Sequence, residues 1–487
     1  MFYYLSFLRP PPTFCSPSST STNAPKGQKA KPKGAAGPSS SLLSITVQIG
    51  NDLRTEALVD PAGRDIFYSW IKDTSNVSGG ASSTAPQTTT PPAKITTYRT
   101  DSAYKEVPVP IPRLAKQGEM WRLALWCDPP KRSNARPRLA PRIAIDLWDA
   151  ALGSGPLPVL SQPITFDARV HAPEKQVRID RVYRLGPFAS ASDAAADELL
   201  LTITEHTGYD LDKKIWDSGI GLSSWICGLA HATSEAECND LVQKMRRALF
   251  GLGGRRIIEL GAGTGIMSLA LAALRYLLRS QSTSTRSEAR PDDVDDVPIL
   301  NQNEKDDQNG GYNQPEDEIF ITDLSSALPL LEHNIQQNKH LLGRPVHKTS
   351  ATDTARSDAR AGEAAESLQA LELDWDAPTI PDAIARGGAL DLIIMADVTY
   401  NTDSFPALIS TVRRLIDLNV PPKPPPMILL GYKQRHPDER ALWDMAQQEA
   451  GVKFVRVGER RGFPRSPEEV TGHGEGEVEV WIGTVQK

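Results

Sequence analysis

The residues whose types and spacing most clearly indicate a functional site form a glycine-rich turn, Glu259-Leu260-Gly261-Ala262-Gly263-Thr264-Gly265. The turn follows a short apolar run and opens onto residues 266–274, whose apolar composition is typical of a helix. A strand, a glycine turn and a helix in this order bring backbone N–H groups and a helix N-terminus close to a ligand. Glycine is needed where the chain turns sharply and no Cβ can stand between the backbone and the ligand.

The spacing of this turn indicates which ligand it suits. Dinucleotide-binding folds usually show G-x-G-x-x-G, whereas the pattern here is G-x-G-x-G and Ile266 occupies the sixth position. Because Glu259 stands just before the turn, the turn suits a ligand with an amino-acid end and a nucleoside end, such as S-adenosylmethionine (SAM). The alternative is a strand–helix turn that needs glycine only for packing.

A second acid, Asp323, ends the apolar run 318–323. In dinucleotide folds an acid at the end of the second strand bonds the ribose hydroxyls and usually comes about 20 residues after the glycines. Here residues 279–318 intervene, a run of Ser, Asp, Glu, Asn, Gln and Gly with almost no apolar content. Such a composition buries too little surface to fold, so we predict a disordered insert whose removal restores the usual spacing.

Three further apolar runs predict strands at 371–375, 389–397 and 427–432, with helical segments such as 327–338 and 405–418 between strands. Alternating strands and helices, with strands apolar on both faces, favour a parallel, doubly wound α/β sheet. Ligands of such sheets sit outside the carboxyl ends of the strands. The residues expected to gather there are Gly261, Asp323, Asp374, Trp375 and Asp397.

Five motifs in this order resemble the seven-β-strand protein-lysine methyltransferases, methyltransferase family 16 of the class I SAM-dependent enzymes. The matching pieces are Lys214-Ile215-Trp216-Asp217-Ser218-Gly219, the 259–265 turn, Thr322-Asp323, Leu373-Asp374-Trp375 and Ala396-Asp397-Val398-Thr399-Tyr400. The last piece is the family's D-x-x-Y signature, and the resemblance covers roughly residues 196 to 487. It implies a seven-stranded, Rossmann-like, doubly wound and mostly parallel sheet.

The resemblance also implies how SAM is held at its amino-acid end. Trp216 would lie near the methionine end of SAM, above the turn formed by Gly261, Gly263 and Gly265. Glu259 would orient the amino-acid moiety, directly or through water. The alternative for Trp216 is a core aromatic, because tryptophan is usually largely buried.

At the nucleoside end, the resemblance implies that Asp323 holds the ribose hydroxyls while Asp374 and Trp375 flank the adenine. Ala396 is also placed among the cofactor-binding residues. Trp375 has the same alternative as the first tryptophan, a place in the core.

Asp397 and Tyr400 would face an incoming lysine, which must arrive as a neutral amine in line with the methyl group. A lysine side chain has a reference pKa of about 10.4, and desolvation in an apolar cleft lowers that pKa. Asp397 can attract and orient the ammonium, and Tyr400 can narrow the channel and accept a hydrogen bond. The alternative is that Asp397 caps the helix that begins near Phe405.

Other chemistries have little support. The eight histidines and four cysteines show no metal-ligand spacing, so we expect no metal, and no serine sits in a nucleophile-elbow sequence. The net charge of −6, from 54 basic and 60 acidic residues, argues against a general nucleic-acid binder. No run reaches the ~18 apolar residues of a membrane span. The cysteines form no disulfide framework, which fits a reducing compartment.

Composition predicts a disordered basic tail over 1–40, and alternating strand patterns predict a mostly β accessory region over 41–187. The resemblance implies a methyltransferase domain over 188–487. A Ser/Thr/Pro/Gly-rich loop at 74–94 interrupts the accessory region, and a second polar insert lies at about 349–366. The accessory region is either a substrate-recruiting module or an extension that packs on the catalytic domain. We expect a cytoplasmic protein, with the nucleus as a further compartment left open; a mitochondrial presequence is a weaker alternative because the tail is poor in arginine.

The sequence therefore predicts a SAM-dependent protein N-methyltransferase whose partner is a protein that presents a lysine, with neither nucleic acid nor membrane as a partner. A class I methyltransferase acting on a histidine or a small-molecule amine is one alternative. A non-catalytic scaffold that retains the fold is another, although the intact Asp397/Tyr400 pair and glycine turn speak against it.

Overall fold

The computed structural model divides the chain into two compact units. The first comprises Met1–Asp217 and Arg461–Glu477, and the second comprises Ser218–Arg460 and Val478–Lys487. The structure describes residues 1–16, 42–73, 89–102, 104–127, 143–170, 174–186, 199–208, 210–232, 239–288, 316–342, 368–463 and 476–486. No helix among these ranges is long and apolar enough to cross a membrane.

The first unit is built mainly from strands. These strands are β1 Tyr4–Arg9, β2 Phe14–Cys15, β3 Leu42–Gly50, β4 Arg64–Lys72, β5 Ala93–Tyr98, β6 Glu106–Pro110, β7 Met120–Cys127, β8 Ala144–Asp146, β9 Val159–Ser161, β10 Ile164–Phe166, β11 Arg178–Arg184 and β12 Leu200–His206. A three-stranded sheet has the order β1-β3-β6, and a nine-stranded sheet follows the path β12-β11-β9-β7-β10-β2 with β4, β5 and β8 attached to its side.

Strand β7 is the centre of the larger sheet, and both of its faces are buried. Successive side chains of a strand point to opposite faces. Leu123 and Leu125 accordingly belong to one apolar cluster, whereas Ala124 and Trp126 belong to another. An almost continuous apolar sequence is therefore what this position requires.

The first residues of the chain correct the prediction of a disordered tail over 1–40. Residues 4–9 form β1, which pairs antiparallel with β3, and Leu5 and Phe7 are buried in the core of the unit. The prediction of disorder is wrong here because the apolar residues at the start of the chain pair with β3 and pack in the core, although a lysine-rich stretch follows them. Residues 17–40 of the predicted tail lie outside the described residues.

The division between the units falls later than the predicted boundary at residue 187. The cause is β12, which pairs antiparallel with β11 along its full length and so belongs to the sheet of the first unit. A segment far along the chain also belongs to this unit, since the Phe463 N–H donates to the Met1 carbonyl at 2.8 Å. Residues 74–88 of the predicted loop lie outside the described ranges, and β5 begins within its predicted end.

The second unit is an α/β structure around one seven-stranded sheet. Its helices are α1 Asp217–His231, α2 Asp240–Phe250, α3 Ile266–Glu288, α4 Leu328–Gln337, α5 Lys339–Leu342, α6 Asp382–Ala385, α7 Phe405–Ile416 and α8 Ala441–Ala450. Its strands are β13 Arg256–Leu260, β14 Glu318–Asp323, β15 Leu368–Glu372, β16 Leu392–Ala396, β17 Met427–Tyr432, β18 Val452–Arg461 and β19 Glu477–Val485.

The strand order of this sheet is β15-β14-β13-β16-β17-β19-β18. Neighbouring strands from β15 to β17 are parallel, whereas β17 and β19 are antiparallel. Strand β13 is buried along its whole length, as expected of a central parallel strand covered on both faces. The α/β class expected from the sequence is therefore confirmed.

The structure describes only the edges of the first predicted insert, 279–318, and these edges are ordered. Helix α3 continues to Glu288, so the insert prediction is wrong for residues 279–288, where a polar sequence extends an apolar helix. Residues 289–315 and the second insert at 349–366 lie outside the described residues. Asp317, inside the predicted insert, accepts two hydrogen bonds from Arg275 at 2.6 and 2.8 Å and one from the Arg255 N–H at 2.9 Å.

The ion pair of Asp317 and Arg275 should contribute measurably to the free energy of unfolding, because the Arg275 side chain is only 1% exposed. Burial opposes ionisation of Asp317, but the hydrogen bonds and charge of Arg275 prevail and hold its pKa below the ordinary value. Asp317→Asn leaves a buried guanidinium without its carboxylate, which should cost about 3–5 kcal/mol of unfolding free energy. Urea denaturation at neutral pH measures this loss.

Asp382→Asn is the matched control, because Asp382 and Arg386 form a surface pair with side chains 76% and 79% exposed. Its loss should cost at most about 1 kcal/mol. A carboxylate whose pKa is depressed on folding stabilises the folded state above the unfolded pKa, and this stabilisation is lost as the pH falls. The difference between Asp317→Asn and the parent should therefore shrink below a pH of about 4; equal stability of the two at neutral pH would contradict the assignment.

Candidate functional site

The glycine turn between β13 and α3 is left-handed at each of its three glycines. Gly261, Gly263 and Gly265 have φ values of +63°, +57° and +76°. A Cβ at Gly265 would lie 2.9 Å from Cδ2 of Leu331, and a Cβ at Gly261 would lie 3.2 Å from the Trp375 ring. The turn therefore needs glycine for its backbone conformation and, at these two positions, for close packing.

Trp375 lies directly against this turn. Its indole ring faces Gly261, and the same half-buried side chain packs on the core cluster of the second unit. The strand before it, β15, ends at Glu372, three residues earlier than predicted. Asp374 is exposed, and its carboxylate accepts a hydrogen bond from the Asp376 N–H at 3.0 Å. Their predicted contact with adenine stays a prediction.

Glu259 is a buried acid of strand β13, and its carboxylate lies against the start of helix α3. It is 2% exposed, and its carboxylate accepts hydrogen bonds from the Ser268 hydroxyl and, at 3.1 Å, from the Ser268 N–H. Burial raises the pKa of Glu259 to about 7, the charge of Asp323 adds to this rise, and the bonds from Ser268 oppose it. Near neutral pH this acid is therefore poised to gain or lose its charge.

Asp323 connects the end of β14 to the glycine turn. One carboxylate oxygen accepts a hydrogen bond from the Gly263 N–H at 2.7 Å, and the other accepts one from the Leu324 N–H at 2.7 Å. The acid is thus at the turn, as the sequence predicted, and it also braces the turn. Its bond to ribose hydroxyls stays a prediction.

Asp397 follows the last residue of β16 and has an uncommon backbone conformation. Its φ is +60°, and its N–H donates to the Gly431 carbonyl of β17 at 3.1 Å. For a residue with a Cβ the left-handed region costs roughly 1–2 kcal/mol, although Asp tolerates it better than most. Strained residues of this kind cluster at functional sites, where the surrounding structure holds them in place.

The carboxylate of Asp397 is buried between two segments of the second unit. It accepts a hydrogen bond from the Ser218 hydroxyl of α1 at 3.2 Å and pairs with the guanidinium of Arg435, which follows β17. The alternative that Asp397 caps the helix near Phe405 is not what the structure shows, because the Asn401 side chain caps the 3₁₀ turn there. Arg435 is not among the residues predicted from the sequence, although its place after a predicted strand puts it at the same edge of the sheet.

Three more residues complete the candidate site. Tyr400 is 59% exposed, and Ala396, which precedes Asp397, pairs with Gly431. Thr399 is buried, and its hydroxyl has no hydrogen-bond partner among the described residues. Unmet hydrogen-bonding capacity of this kind leaves room for a polar ligand atom.

Trp216 belongs to the first unit, and its indole N–H donates to the Leu211 carbonyl at 2.9 Å. The side chain is half-buried. Its predicted place near the methionine end of SAM stays a prediction.

The residues at the carboxyl edge of the sheet fit SAM. The left-handed glycines have no side chain between the backbone and a ligand, and Asp323 is at the end of β14. Glu259 can ionise and pair with the ammonium group of a ligand. No group of His, Cys, Asp and Glu among the described residues is placed to hold a metal ion.

The lysine methyltransferase family model matches the chain over residues 195–290 and 351–449. The matched segments contain the glycine turn, Trp375 and the D-x-x-Y residues, whereas Asp323 lies between them. No match is found among curated proteins. The family match confirms the resemblance drawn from the sequence: the protein is a SAM-dependent methyltransferase, and SAM is its methyl donor.

Three of the solved structures that are similar to this chain are described as methyltransferases. A precorrin-6y C5,15-methyltransferase from Geobacter metallireducens has 11% identity and a TM-score of 0.25, with 52% of this chain and 94% of that chain covered. A SAM-dependent methyltransferase from Agrobacterium tumefaciens has 11% identity and a TM-score of 0.29, with 59% and 68% covered. A 16S rRNA (adenine(1408)-N(1))-methyltransferase from Catenulisporales acidiphilia has 12% identity and a TM-score of 0.22, with 51% and 93% covered.

Substitution of Asp323 tests its predicted contact with ribose. Asp323→Ala should weaken SAM binding about tenfold or more, because charge-assisted hydrogen bonds contribute roughly 1.5–3 kcal/mol. Asp323→Asn keeps an oxygen that can accept from the Gly263 N–H, so it separates support of the turn from binding of the ligand. Calorimetry with SAM, its demethylated product and NAD measures affinity, and NAD should not bind. If both folded variants bind SAM as the parent does, Asp323 does not hold the ribose.

If Glu259 contacts the amino-acid end of SAM, as predicted, we expect SAM binding to depend on pH. A cationic α-amino group favours the charged carboxylate, so binding below a pH of about 7 requires Glu259 to release a proton first. SAM affinity should therefore fall as the pH is lowered from 7.5 toward 5.5, over about two units around this pKa. Glu259→Gln should bind more weakly at pH 7.5 and lose this dependence. The same pH slope in variant and parent would assign it to another group.

Proposed function

We propose that the protein transfers methyl groups from SAM to a lysine side chain of a partner protein. The observation that supports this most is the left-handed, buried Asp397 at the end of β16, followed three residues later by the exposed Tyr400. These residues form the D-x-x-Y signature within a segment that matches the lysine methyltransferase family. We assign this activity to the second unit and an accessory role to the strands of the first.

The residues suit a displacement that needs a neutral amine. When bound, SAM supplies an electrophilic methyl group and leaves as a neutral thioether. The lone pair of the lysine nitrogen forms the new N–C bond as the C–S electron pair goes to sulfur, and a proton leaves the nitrogen for solvent. Asp397 orients the nitrogen, and the Tyr400 ring borders the approach of the lysine side chain.

Identification of the acceptor tests this proposal directly. The protein is incubated with isotopically labelled SAM and a lysate of its own source, with and without nuclease treatment, and the labelled product is mapped. We expect a protein band whose label lies on lysine and survives nuclease. Label on histidine, on RNA or on a small amine would replace the proposed acceptor, and absence of label from every fraction would favour a non-catalytic scaffold.

Variants of the D-x-x-Y residues separate an enzyme from a scaffold. Asp397→Asn is preferable to alanine because Asn tolerates the left-handed conformation. It should slow methyl transfer at least about a hundredfold through loss of orientation, while most SAM affinity remains. Tyr400→Phe removes only the hydroxyl of an exposed ring, so it should slow transfer or change the number of methyl groups added without lowering the melting temperature.

Asp403→Asn provides the control for these variants, since Asp403 is an exposed acid in the same loop. Its single-turnover rate on the mapped substrate should equal that of the parent. Parent-like rates in folded Asp397→Asn and Tyr400→Phe would show that the D-x-x-Y residues do not carry the reaction.

A further inference from the structure

The charge of Asp397 is already balanced inside the second unit. Its side chain is 5% exposed, and that of its partner Arg435 is 15% exposed. Taking a carboxylate out of water is costly unless a cation and further hydrogen bonds compensate for it. Arg435 supplies the cation, and the Ser218 hydroxyl supplies a further hydrogen bond.

The fold fixes the position of Arg435. Strands β16 and β17 are parallel neighbours, so the segments after Ala396 and Tyr432 leave the sheet at one edge. The carboxylate of the buried Glu439 accepts hydrogen bonds from the N–H groups of Arg435 and His436 at 3.1 and 3.2 Å. The guanidinium is therefore carried by an anchored segment, in contrast to a cation on a free loop.

The next turn anchors the same segment further. Residues 437–440 form a 3₁₀ helix whose capping box joins His436 and Glu439. Arg440, at its end, lies 4.8 Å from the ring centroid of Tyr432 and 5.1 Å from that of Trp443, and it donates to Glu479 at 2.9 Å. Cation–π contacts of this kind stabilise the position of a side chain.

A lone buried carboxylate would hinder the proposed reaction. An opposite charge within about 4–6 Å favours the charged form of an ionisable group and shifts its pKa by about 1–3 units. An unbalanced Asp397 would thus hold the substrate nitrogen as an ammonium, which has no lone pair to donate. A carboxylate that already has a guanidinium partner exerts a smaller net field on the incoming nitrogen while it can still accept a hydrogen bond from it.

We infer that Arg435 is a positioning residue that balances the charge of Asp397, so that the carboxylate orients the substrate amine without holding it as an ammonium. The inference rests on the proposed function. The Arg435 guanidinium, from the segment after β17, and the Ser218 hydroxyl, from α1, both contact the Asp397 carboxylate. Lys433 and Glu439 lie on the same segment as Arg435, and Tyr400 follows Asp397 in its own loop.

The test is the pH profile of the single-turnover rate on a peptide that bears the mapped lysine. Arg435→Gln removes the cation and should move the acid limb of the profile upward by about one pH unit, which is about tenfold in rate at neutral pH. The two rates should converge at high pH, where the amine is neutral in both. At neutral pH the KM of the variant should stay the same or fall, since the ammonium form binds better.

Arg435→Lys retains the charge but loses the planar fork of the guanidinium. Its acid limb should stay at the position of the parent even where the rate is lower at every pH. A limb displaced upward in the lysine variant would overturn the inference, and this result does not depend on whether Arg435→Gln folds.

Replacement of the substrate lysine by aminoethylcysteine gives an independent readout, because the thioether lowers the basicity of the amine. The rate deficit of Arg435→Gln at neutral pH should shrink with this substrate. Asp317→Asn is the control for a general loss of stability. The acid limb of its pH–rate profile should stay at the position of the parent, and its rate relative to the parent should be the same with both substrates.

The outcomes distinguish this inference from the proposed function. Transfer by the parent to an acceptor that is not an amine would overturn both. Transfer to lysine with an equal loss at every pH in Arg435→Gln would leave the proposed function standing and would reduce Arg435 to a structural partner of Asp397. An acid limb that moves upward in Arg435→Gln and lies at the parent position in Arg435→Lys would support the inference.

Discussion

The parallel pairing of β13 with β14 on one side and β16 on the other aligns the ends of three strands. Leu260 stands opposite both Thr322 and Met395, so the next residues along each strand emerge at one edge of the sheet. Gly261 of the glycine turn and Asp323 come directly after Leu260 and Thr322, and Asp397 comes two residues after Met395, once Ala396 has ended β16. A parallel sheet with this register therefore brings together groups that lie far apart in the sequence, and the remaining contacts of the site refine their positions.

Positive φ values hold the site at two of these strand ends. The glycines of the turn adopt them at little cost, whereas Asp397 does so with a Cβ. The Asp397 N–H bonds to β17, and its carboxylate bonds to α1 and to the segment after β17, so three elements hold one residue. A conformation that is unfavourable in isolation is thus kept by contacts on every side.

The sequence predicted the parts of the site that depend on strand order. Asp323 and Asp397 could be found because each ends an apolar run, and the position of a strand end needs no knowledge of side-chain packing. Arg435 could not be found in this way, since its pairing depends on how one loop turns. The first strand, β1, was missed because six residues before a long polar stretch carry too short an alternation to be recognised. The end of α3 was missed because its polar turns continue a helix that apolar residues begin.

The desolvation cost of two buried acids in the second unit, Glu259 and Asp397, is offset in different ways. Glu259 is on β13, and its carboxylate accepts hydrogen bonds from a hydroxyl and an N–H at the start of α3. Among the described residues no cation pairs with it, and burial raises its pKa to about 7. Asp397 has a guanidinium instead. An acid that is neutral or half-charged can release its proton when a cationic ligand group arrives, and the resulting carboxylate suits the amino-acid end of SAM. An acid that is already paired can orient a ligand group by a hydrogen bond while its net charge effect is small. This suits a nitrogen that must lose its proton before it can react. On the proposed function, a carboxyl group therefore acts at both ends of the reaction, and the neighbours of Glu259 and of Asp397 set the charge of each.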